Sequence, residues 1–405
     1  MLSAEEAAAR LGVKPATLYA YVSRGLLRRE LGPDGRSRFP LAELERLARR
    51  GRRDRAAGSE LRIESALTAI LDGAIFYRGE DVPTLARKRS FEEVAELLWT
   101  GAFPERAPWT SDAAALESAR RVQAALPEAA LPLDRLRVAV PALAALDPMR
   151  YETADAAVVV TGRRLLAALV DCLPRLSGGA DPLLVRPGQP FSDSVAARLW
   201  SGVAFQAPPP GGLEALNAAL VLVADHDLSV STLAARMAAS IAADPYAVVS
   251  VGLSALGGAM QAVASLAVED LLNEVAGPEQ AAARIGERLR RGDRLPGFGH
   301  RLYPAGDPRA PVLLDLVRGT WKSARLAVVE AVVEATSGRG LPAPNIDFAL
   351  AALAHVAGMQ RGASEAIYAI ARAAGWLAHA LEEYQRHSDI RPRAIYVGVP
   401  VGPER

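Results

Sequence analysis

Beyond residue 90 the apolar residues of this chain recur at three- and four-residue intervals, and no stretch alternates polar and apolar over a useful length. That period confines the chain to helices, because a strand needs residue-by-residue alternation to put one face on a core. The stretch "RSFEEVAELLWTGAFP" shows the pattern. Ser90 stands at an N-cap with Glu93 three residues on; Phe91, Val94, Ala95 and Leu98 fall on one face; Gly101 is placed to end the helix. Similar Ala/Leu-rich segments occupy about 112–126, 135–146, 153–173, 192–205 and 213–224, with "SGGADP" and "QAPPPGG" as loops between them. The expected class is all-α. With 405 residues, half of them hydrophobic, the chain can bury a large core and more than one domain. Its apolar runs are broken by Glu or Asn well short of the roughly 20 residues that cross a bilayer. No succession of basic, apolar and small residues opens it, so a cytoplasmic location is expected. The single Cys172 excludes an internal disulfide and a cysteine-based zinc site, fits a reducing compartment, and reads as core.

The front of the chain differs electrostatically. Residues 1–58 hold thirteen Lys or Arg against seven Asp or Glu, whereas the whole chain carries only +1. The stretch "LSAEEAAARLGVKPATLYAYVSRGLLRR" reads as two short helices. Ser3 and Glu6 form a capping box, Gly12 ends the first helix, Pro15 suits the first turn of the second, and Leu11, Val13, Leu18 and Val22 make a shared inner face. A basic turn, "GPDGRSRFP", and a third helix, "LAELERLARR", follow. This pattern resembles the MerR and excisionase type of helix-turn-helix module. The resemblance implies that Thr17, Tyr19, Tyr21 and Arg24 face DNA, with Arg36 and Arg38 in the wing. The residues alone suit a basic three-helix interaction module equally well. The module is expected over 1–50, with a charged linker, "GRRDRAAGSE", over 51–60.

Chemistry concentrates near two of the five histidines and one acid. "LPGFGHRLYPAGDPRAP" delivers His300 on a glycine-rich turn, with Asp307 and Arg309 close behind; "ADHDLSVST" carries His226; "PNID" puts Asp347 at the start of an apolar helix. A carboxylate there meets the positive end of the helix dipole, which would hold it ionised as a proton acceptor. "GFGHRL" lacks the third glycine of a dinucleotide fingerprint, and no strand precedes it. His355 reads as structural. His379 and His387 lack a third ligand for a metal, and no metal is expected. The acidic pairs at 92–93 and 382–383 read as solvated helix faces.

These motifs, in this order and spacing, resemble the citrate synthase family. So do "LDGAIFYRGEDVPTLARKRSFEEVAELLWTGAFP" near the start of the region and "IARAAGWLAHALEEYQRHSDIRPRAIYVG" near its end, and the similarity covers about 60–400. The resemblance implies a helical homodimer. Its large domain would span 61–257 and 361–405, with a small domain over 258–360 that closes on the substrates. It implies no permanently bound cofactor, acetyl-CoA or a close acyl-CoA as co-substrate, and oxaloacetate as its partner. In that reaction the thioester is enolised, its enol attacks the ketone, and the product thioester is hydrolysed to citrate and CoA. On that likeness Asp347 is the base, and His300 and His226 bracket the ketone. Arg309, Arg372 and Arg391 clamp carboxylates, Arg391 from the second subunit, where planar guanidinium geometry favours Arg over Lys. Leu295, Pro296, Gly297, Phe298 and Gly299 would meet CoA.

The sequence also departs from that family. A further catalytic histidine lies in the family's "GPLHGGANEAVL" type of segment; here "GAMQAVASLAVEDLL" stands in its region, with Gln261 read in the place of that histidine. Gln261 could donate a hydrogen bond to the thioester oxygen but could not exchange a proton. Pro304 stands where the family has a Lys or Arg. Two readings are therefore open: an acyltransferase weakened at one position, or an impaired homologue that senses a metabolite, binds DNA, or pairs with an active paralogue as a regulatory subunit.

Overall fold

The computed structural model describes residues 2–11, 15–23, 27–31, 37–40, 43–44, 63–104, 109–176, 193–258, 262–337, 339–386 and 389–394. It divides into two compact units, Met1–Glu64 and Ser65–Arg405.

In the first unit β1 (Leu2–Ser3) leads into α1 (Ala4–Leu11) and α2 (Pro15–Ser23), followed by β2 (Glu30–Leu31) and β3 (Ser37–Phe39). The Glu6 backbone N–H donates to Ser3 Oγ at 3.3 Å, and the Ser3 N–H donates to the Glu6 carboxylate at 2.8 Å, which is the anticipated capping box. Ala7, Leu18, Leu27, Phe39 and Leu44 form a small core, with Val22 packed on it. The basic turn is more than a turn: β3 pairs antiparallel with both β1 and β2. Gly12, Val13, Arg24, Arg36, the side chain of Leu11, the linker 51–60 and all of the third helix except 43–44 lie outside the described residues.

The second unit opens with an antiparallel sheet of β4 (Thr68–Leu71), β5 (Ala74–Tyr77) and β6 (Glu80–Asp81). Helices follow: α3 (Val82–Lys88), α4 (Phe91–Thr100), α5 (Ala113–Ala124), α6 (Pro132–Ala145), α7 (Asp155–Asp171) and α8 (Val195–Val203). Next come α9 (Gly212–Leu222), α10 (Val230–Ser240), α11 (Pro245–Leu256), α12 (Ala262–Glu274) and α13 (Ala281–Arg290). The last four are α14 (Arg309–Thr320), α15 (Ala324–Thr336), α16 (Ile346–Ala357) and α17 (Ala363–Arg386). The expected α4 forms as read. Ser90 and Glu93 complete a capping box, Gly101 caps the far end at φ 78°, and Phe91, Val94, Ala95 and Leu98 are wholly buried.

Helix α17 organises this unit. Its 24 residues, buried along most of their length, pack against α4, α7, α10, α11 and α12. A helix apolar on nearly every side has to run through a core rather than over it. It comes close to the chain just before His226: a Cβ on Gly375 would lie 2.4 Å from the Ala224 carbonyl oxygen and 2.7 Å from Asp225 Oδ1. The carboxylate pairs at 92–93 and 382–383 are not solvated faces, contrary to the sequence reading. Glu92 accepts the Val195 N–H at 2.6 Å and Glu93 serves the cap, while Glu382 and Glu383 pair with fully buried Arg236. Burying Arg236 would be prohibitive without such anions, and those two are the ones in reach. His379 joins the same cluster through Arg236, at 2.6 Å; His387 lies outside the described residues.

Candidate active site

Six segments meet at one cavity of about 290 Å³: the loop after α9, the end of α11, α12, the turn leading into α14, the start of α16 and the start of α17. His226, Ser265, His300, Arg309, Asp347, Glu365 and Tyr368 line it, with Leu256 as an apolar wall.

His226 is held from below. The Tyr77 hydroxyl at the end of β5 donates to the Asp225 carbonyl oxygen at 2.7 Å and accepts the Asp225 N–H at 3.1 Å, so the small sheet fixes the chain next to the histidine. Above, His226 Nε2 and the Tyr303 hydroxyl share a hydrogen bond of 2.9 Å. His226 and His300 meet edge to face, their centroids 5.2 Å apart. Burial lowers the pKa of His226, and the Arg309 and Arg372 guanidiniums lower it further; His300 is lowered for the same reasons, burial first and Arg309 second. Both imidazoles are therefore neutral near pH 7, able to donate one hydrogen bond each.

The turn that carries His300 is fastened to the helix that carries Asp347. Gly299 N–H donates to the Ala343 carbonyl at 2.8 Å, and Asn345 N–H to the Gly297 carbonyl at 2.8 Å. The Asn345 amide donates to the Gly299 carbonyl at 2.9 Å, while its carbonyl oxygen caps α16 by accepting from Asp347 and Phe348 N–H. Asp307 does a parallel job. It takes both a bidentate Arg309 pair, at 2.9 and 2.8 Å, and the Ile346 N–H at 3.0 Å. One asparagine and one aspartate thus set the distance between imidazole and carboxylate. Neither had been assigned a role from the sequence, although both stand inside the motifs "PNID" and "GDPRA". Tyr303 was missed likewise.

Gly297 and Gly299 adopt φ of 80° and 77°. At Gly297 a Cβ would come within 2.7 Å of Val268 Cγ2 and 2.9 Å of Phe348 Cβ, so glycine is required there by the packing of α12 and α16 on the turn. Asp347 sits in the first turn of α16, half-buried. Its pKa is raised, not lowered: burial outweighs the pull of Arg309. The dipole argument therefore gave the wrong direction for this carboxylate.

Arg309 and Arg372 are almost wholly enclosed. Arg372 Nε donates to the Val223 carbonyl at 3.0 Å and its guanidinium lies 4.7 Å over the Tyr368 ring, but Nη1 and Nη2 have no partner among the described residues. Arg391 is exposed and does not line this cavity. Gln261 lies outside the described residues. Pro304 is exposed on the turn after Tyr303. In the first unit, Tyr19 is 40% exposed and meets Phe39 edge to face; Thr17 is half-buried; Tyr21 packs against the core instead of pointing away from it. Arg38 lies close enough to Glu6 to lower that carboxyl's pKa, behind the two Ser3 hydrogen bonds that do most of the lowering.

Fold and site together define a predominantly helical protein whose cavity brings neutral imidazoles and a basic carboxylate together with buried guanidiniums. Residues 59–393 match the model described as citrate synthase, C-terminal domain, and residues 1–52 match one described as helix-turn-helix domain. The chain belongs to the citrate synthase family. It is 31% identical over 357 residues to citrate synthase 2 of Bacillus subtilis (strain 168), covering 82% of this chain and 93% of that one. It is 29% identical over 338 residues to 2-methylcitrate synthase of Mycobacterium tuberculosis (strain H37Rv), covering 80% and 85%. Among solved structures it superposes on citrate synthase from Thermotoga maritima with a TM-score of 0.67 at 25% identity, covering 86% of this chain and 96% of that one. The fold also matches a citrate synthase from Thermoplasma acidophilum in ternary complex with carboxymethyl coenzyme A and oxaloacetate, with a TM-score of 0.68 at 22% identity, covering 86% and 97%. No helix among the described residues is long and apolar enough to cross a membrane, and none of their His, Cys, Asp and Glu groups could hold a metal ion.

Proposed function

We propose that this chain condenses acetyl-CoA, or a close acyl-CoA, with oxaloacetate and hydrolyses the resulting thioester to citrate, or its alkyl homologue, and free CoA. The observation that carries this reading is Arg372: a fully buried cation with two unpartnered nitrogens, next to a cavity that also holds Arg309. Such a group suits a carboxylate ligand, which supplies the missing acceptors bidentately. With the dicarboxylate held by Arg309 and Arg372, the N–H groups of His226 and His300 would polarise its ketone. Asp347 takes a proton from the acyl carbon next to the thioester; its raised pKa makes it a better acceptor for so weak an acid. The carbanion-equivalent carbon bonds to the ketone carbon as the ketone π pair moves to oxygen, that oxygen takes the N–H proton of His300, which the proton released by Asp347 replaces, and water then cleaves the thioester to a carboxylate and a thiol. CoA would run along Leu295, Pro296, Gly297, Phe298 and Gly299, with residues 258–360 as the small domain that closes on it. Arg391 would complete the carboxylate clamp of a second copy of the chain.

We place Leu256, rather than Gln261, at the position of the family's third imidazole. Leu256 is followed directly by Gly257 and Gly258, as that histidine is followed by two glycines, and it lines the cavity. The test is thiol release from acetyl-CoA and propionyl-CoA with oxaloacetate. Asp347→Asn should lower kcat by about 10²–10⁴-fold, the usual contribution of a positioned base, while oxaloacetate still binds. Turnover unaffected by Asp347→Asn would overturn the assignment.

For residues 1–50 we propose DNA binding through α2. It is supported by the helix-turn-helix match, the surplus of basic residues and the exposed Tyr19. Fluorescence anisotropy with duplex DNA should give an affinity that falls steeply with salt; affinity indifferent to salt would count against it.

A further inference from the structure

The enolisation step leaves one group unaccounted for. As a methyl proton passes to Asp347, the thioester oxygen gathers negative charge and needs a donor, and Leu256 can offer none. The same cavity is also lined by Glu365, at the first turn of α17. It shares a helix face with Tyr368 and Arg372, three and seven residues on, so one face of α17 carries all three toward the cavity. Glu365 is 4% exposed, and its Oε1 is buried with no hydrogen-bond partner among the described residues. A structural carboxylate buried to this degree ordinarily has a cation or a set of N–H donors on it. Glu269 beside it shows the contrast: it accepts from Gly362 N–H, Ser364 N–H and the Ser364 hydroxyl.

We propose that Glu365, as a neutral carboxylic acid, is the catalytic donor to the thioester oxygen during enolisation, supplying from α17 what the family's third imidazole supplies from the segment before α12. This assignment rests on the reaction proposed above. The step balances as follows: the acyl C–H bond breaks toward Asp347, its electron pair forms the C=C bond, and the carbonyl π pair moves to oxygen. The oxygen takes the Glu365 proton, and returns it when the enol carbon bonds to the ketone and the carbonyl re-forms. The surroundings favour the neutral acid. Burial pushes the Glu365 carboxyl up to about 7, and the Glu269 carboxylate from α12 adds to that. Asp134 from α6 acts in the same direction, while Arg137 from α6 and Arg361 from the turn before α17 oppose it. A carboxylic acid kept protonated near neutrality in a closed site is a competent hydrogen-bond donor.

The experiment is steady-state thiol release by the full chain from pH 5.5 to 9, with oxaloacetate affinity measured by calorimetry as a control. Glu365→Ala should lower kcat by about 10²–10³-fold, as loss of a preorganised donor does, with oxaloacetate affinity within about twofold. Glu365→Gln keeps size and a donor; it should retain more activity than Glu365→Ala and lose the alkaline fall in kcat expected of the native chain as pH rises through about 7. A kcat for Glu365→Ala within about twofold of native, or an alkaline fall unchanged in Glu365→Gln, overturns the role of Glu365 and leaves the reaction standing. No thiol release by the native chain at any pH overturns the reaction, and this role with it.

Discussion

At the residue scale, Arg372 pays for its position before any ligand arrives. Fully enclosed, with one hydrogen bond to Val223 and two nitrogens without hydrogen-bond partners, it is a buried cation offset only through space by the Asp225 carboxylate, which destabilises the ligand-free fold. Arg372→Met should therefore raise the thermal midpoint of the ligand-free chain, worth about 1–4 kcal/mol. The same change should weaken oxaloacetate by about 10²-fold or more, since a buried charge pair loses about 2–5 kcal/mol on truncation. Differential scanning fluorimetry with and without oxaloacetate reads both; a variant that is less stable and still binds would contradict the argument. Glu365 gives a second residue-scale expectation. Its carboxyl holds its proton to about 7 in the fold against an ordinary value of 4.5 in the unfolded chain, so between those values the native state binds more protons. Stability then declines as pH rises across that window. Glu365→Gln should flatten this part of the Tm profile, measured against native chain at pH 5 and pH 8. What sequence revealed at this scale was chemical type in motif context. His226, His300, Asp347, Arg309 and Arg372 were legible because their flanking letters repeat a family's, and the structure gathers four of them on the cavity wall with Arg372 behind Tyr368. Burial was not legible. That is why the pKa of Asp347 was read in the wrong direction and Glu365 was passed over.

At the scale of elements, helix starts and stops were readable because capping chemistry is local: Ser90 with Glu93 and Ser3 with Glu6 need only four letters. The β4–β5 hairpin was not read, although Asp72–Gly73 is a hairpin signal and both residues adopt positive φ. "TAIL" and "AIFY" are too short and too uniformly apolar to show alternation. In β5 every second residue, Ile75 and Tyr77, is nevertheless the fully buried one. Gly297 allows an element-scale prediction. With φ at 80° and no room for a Cβ between Val268 and Phe348, Gly297→Ala must move the turn that aims His300. It should cost about 1–3 kcal/mol, the scale of a strained backbone position, and lower kcat with it. Gly286, mid-helix in α13 with nothing within 4 Å of a built Cβ, is the control. Gly286→Ala should stabilise by about 0.5–1 kcal/mol. Urea midpoints of the two variants should move in opposite directions; a shift of the same sign would show that the turn is not packed as described.

At the scale of the whole molecule, the site of one chain lacks one of the cations assigned to it. Arg391 is exposed, in the segment after α17, and is absent from the cavity that holds Arg309. An exposed arginine is free to serve a carboxylate across an interface, and a two-fold pair of chains would give each site the other's Arg391. Two defective chains can test this. Asp347→Asn supplies an intact Arg391 but no base; Arg391→Ala keeps the base but has no arginine to lend. Each alone should be nearly inactive. Co-expressed with different tags and purified through both, the mixed pair should regain about half of native activity, because one of its two sites then holds Asp347 on one chain and Arg391 on the other. If Arg391 served its own chain's site, neither site of the mixed pair would be complete and the pair would stay inactive. If the two tags never co-purify, the chain has no such partner copy, and Arg391 does not complete a neighbour's site.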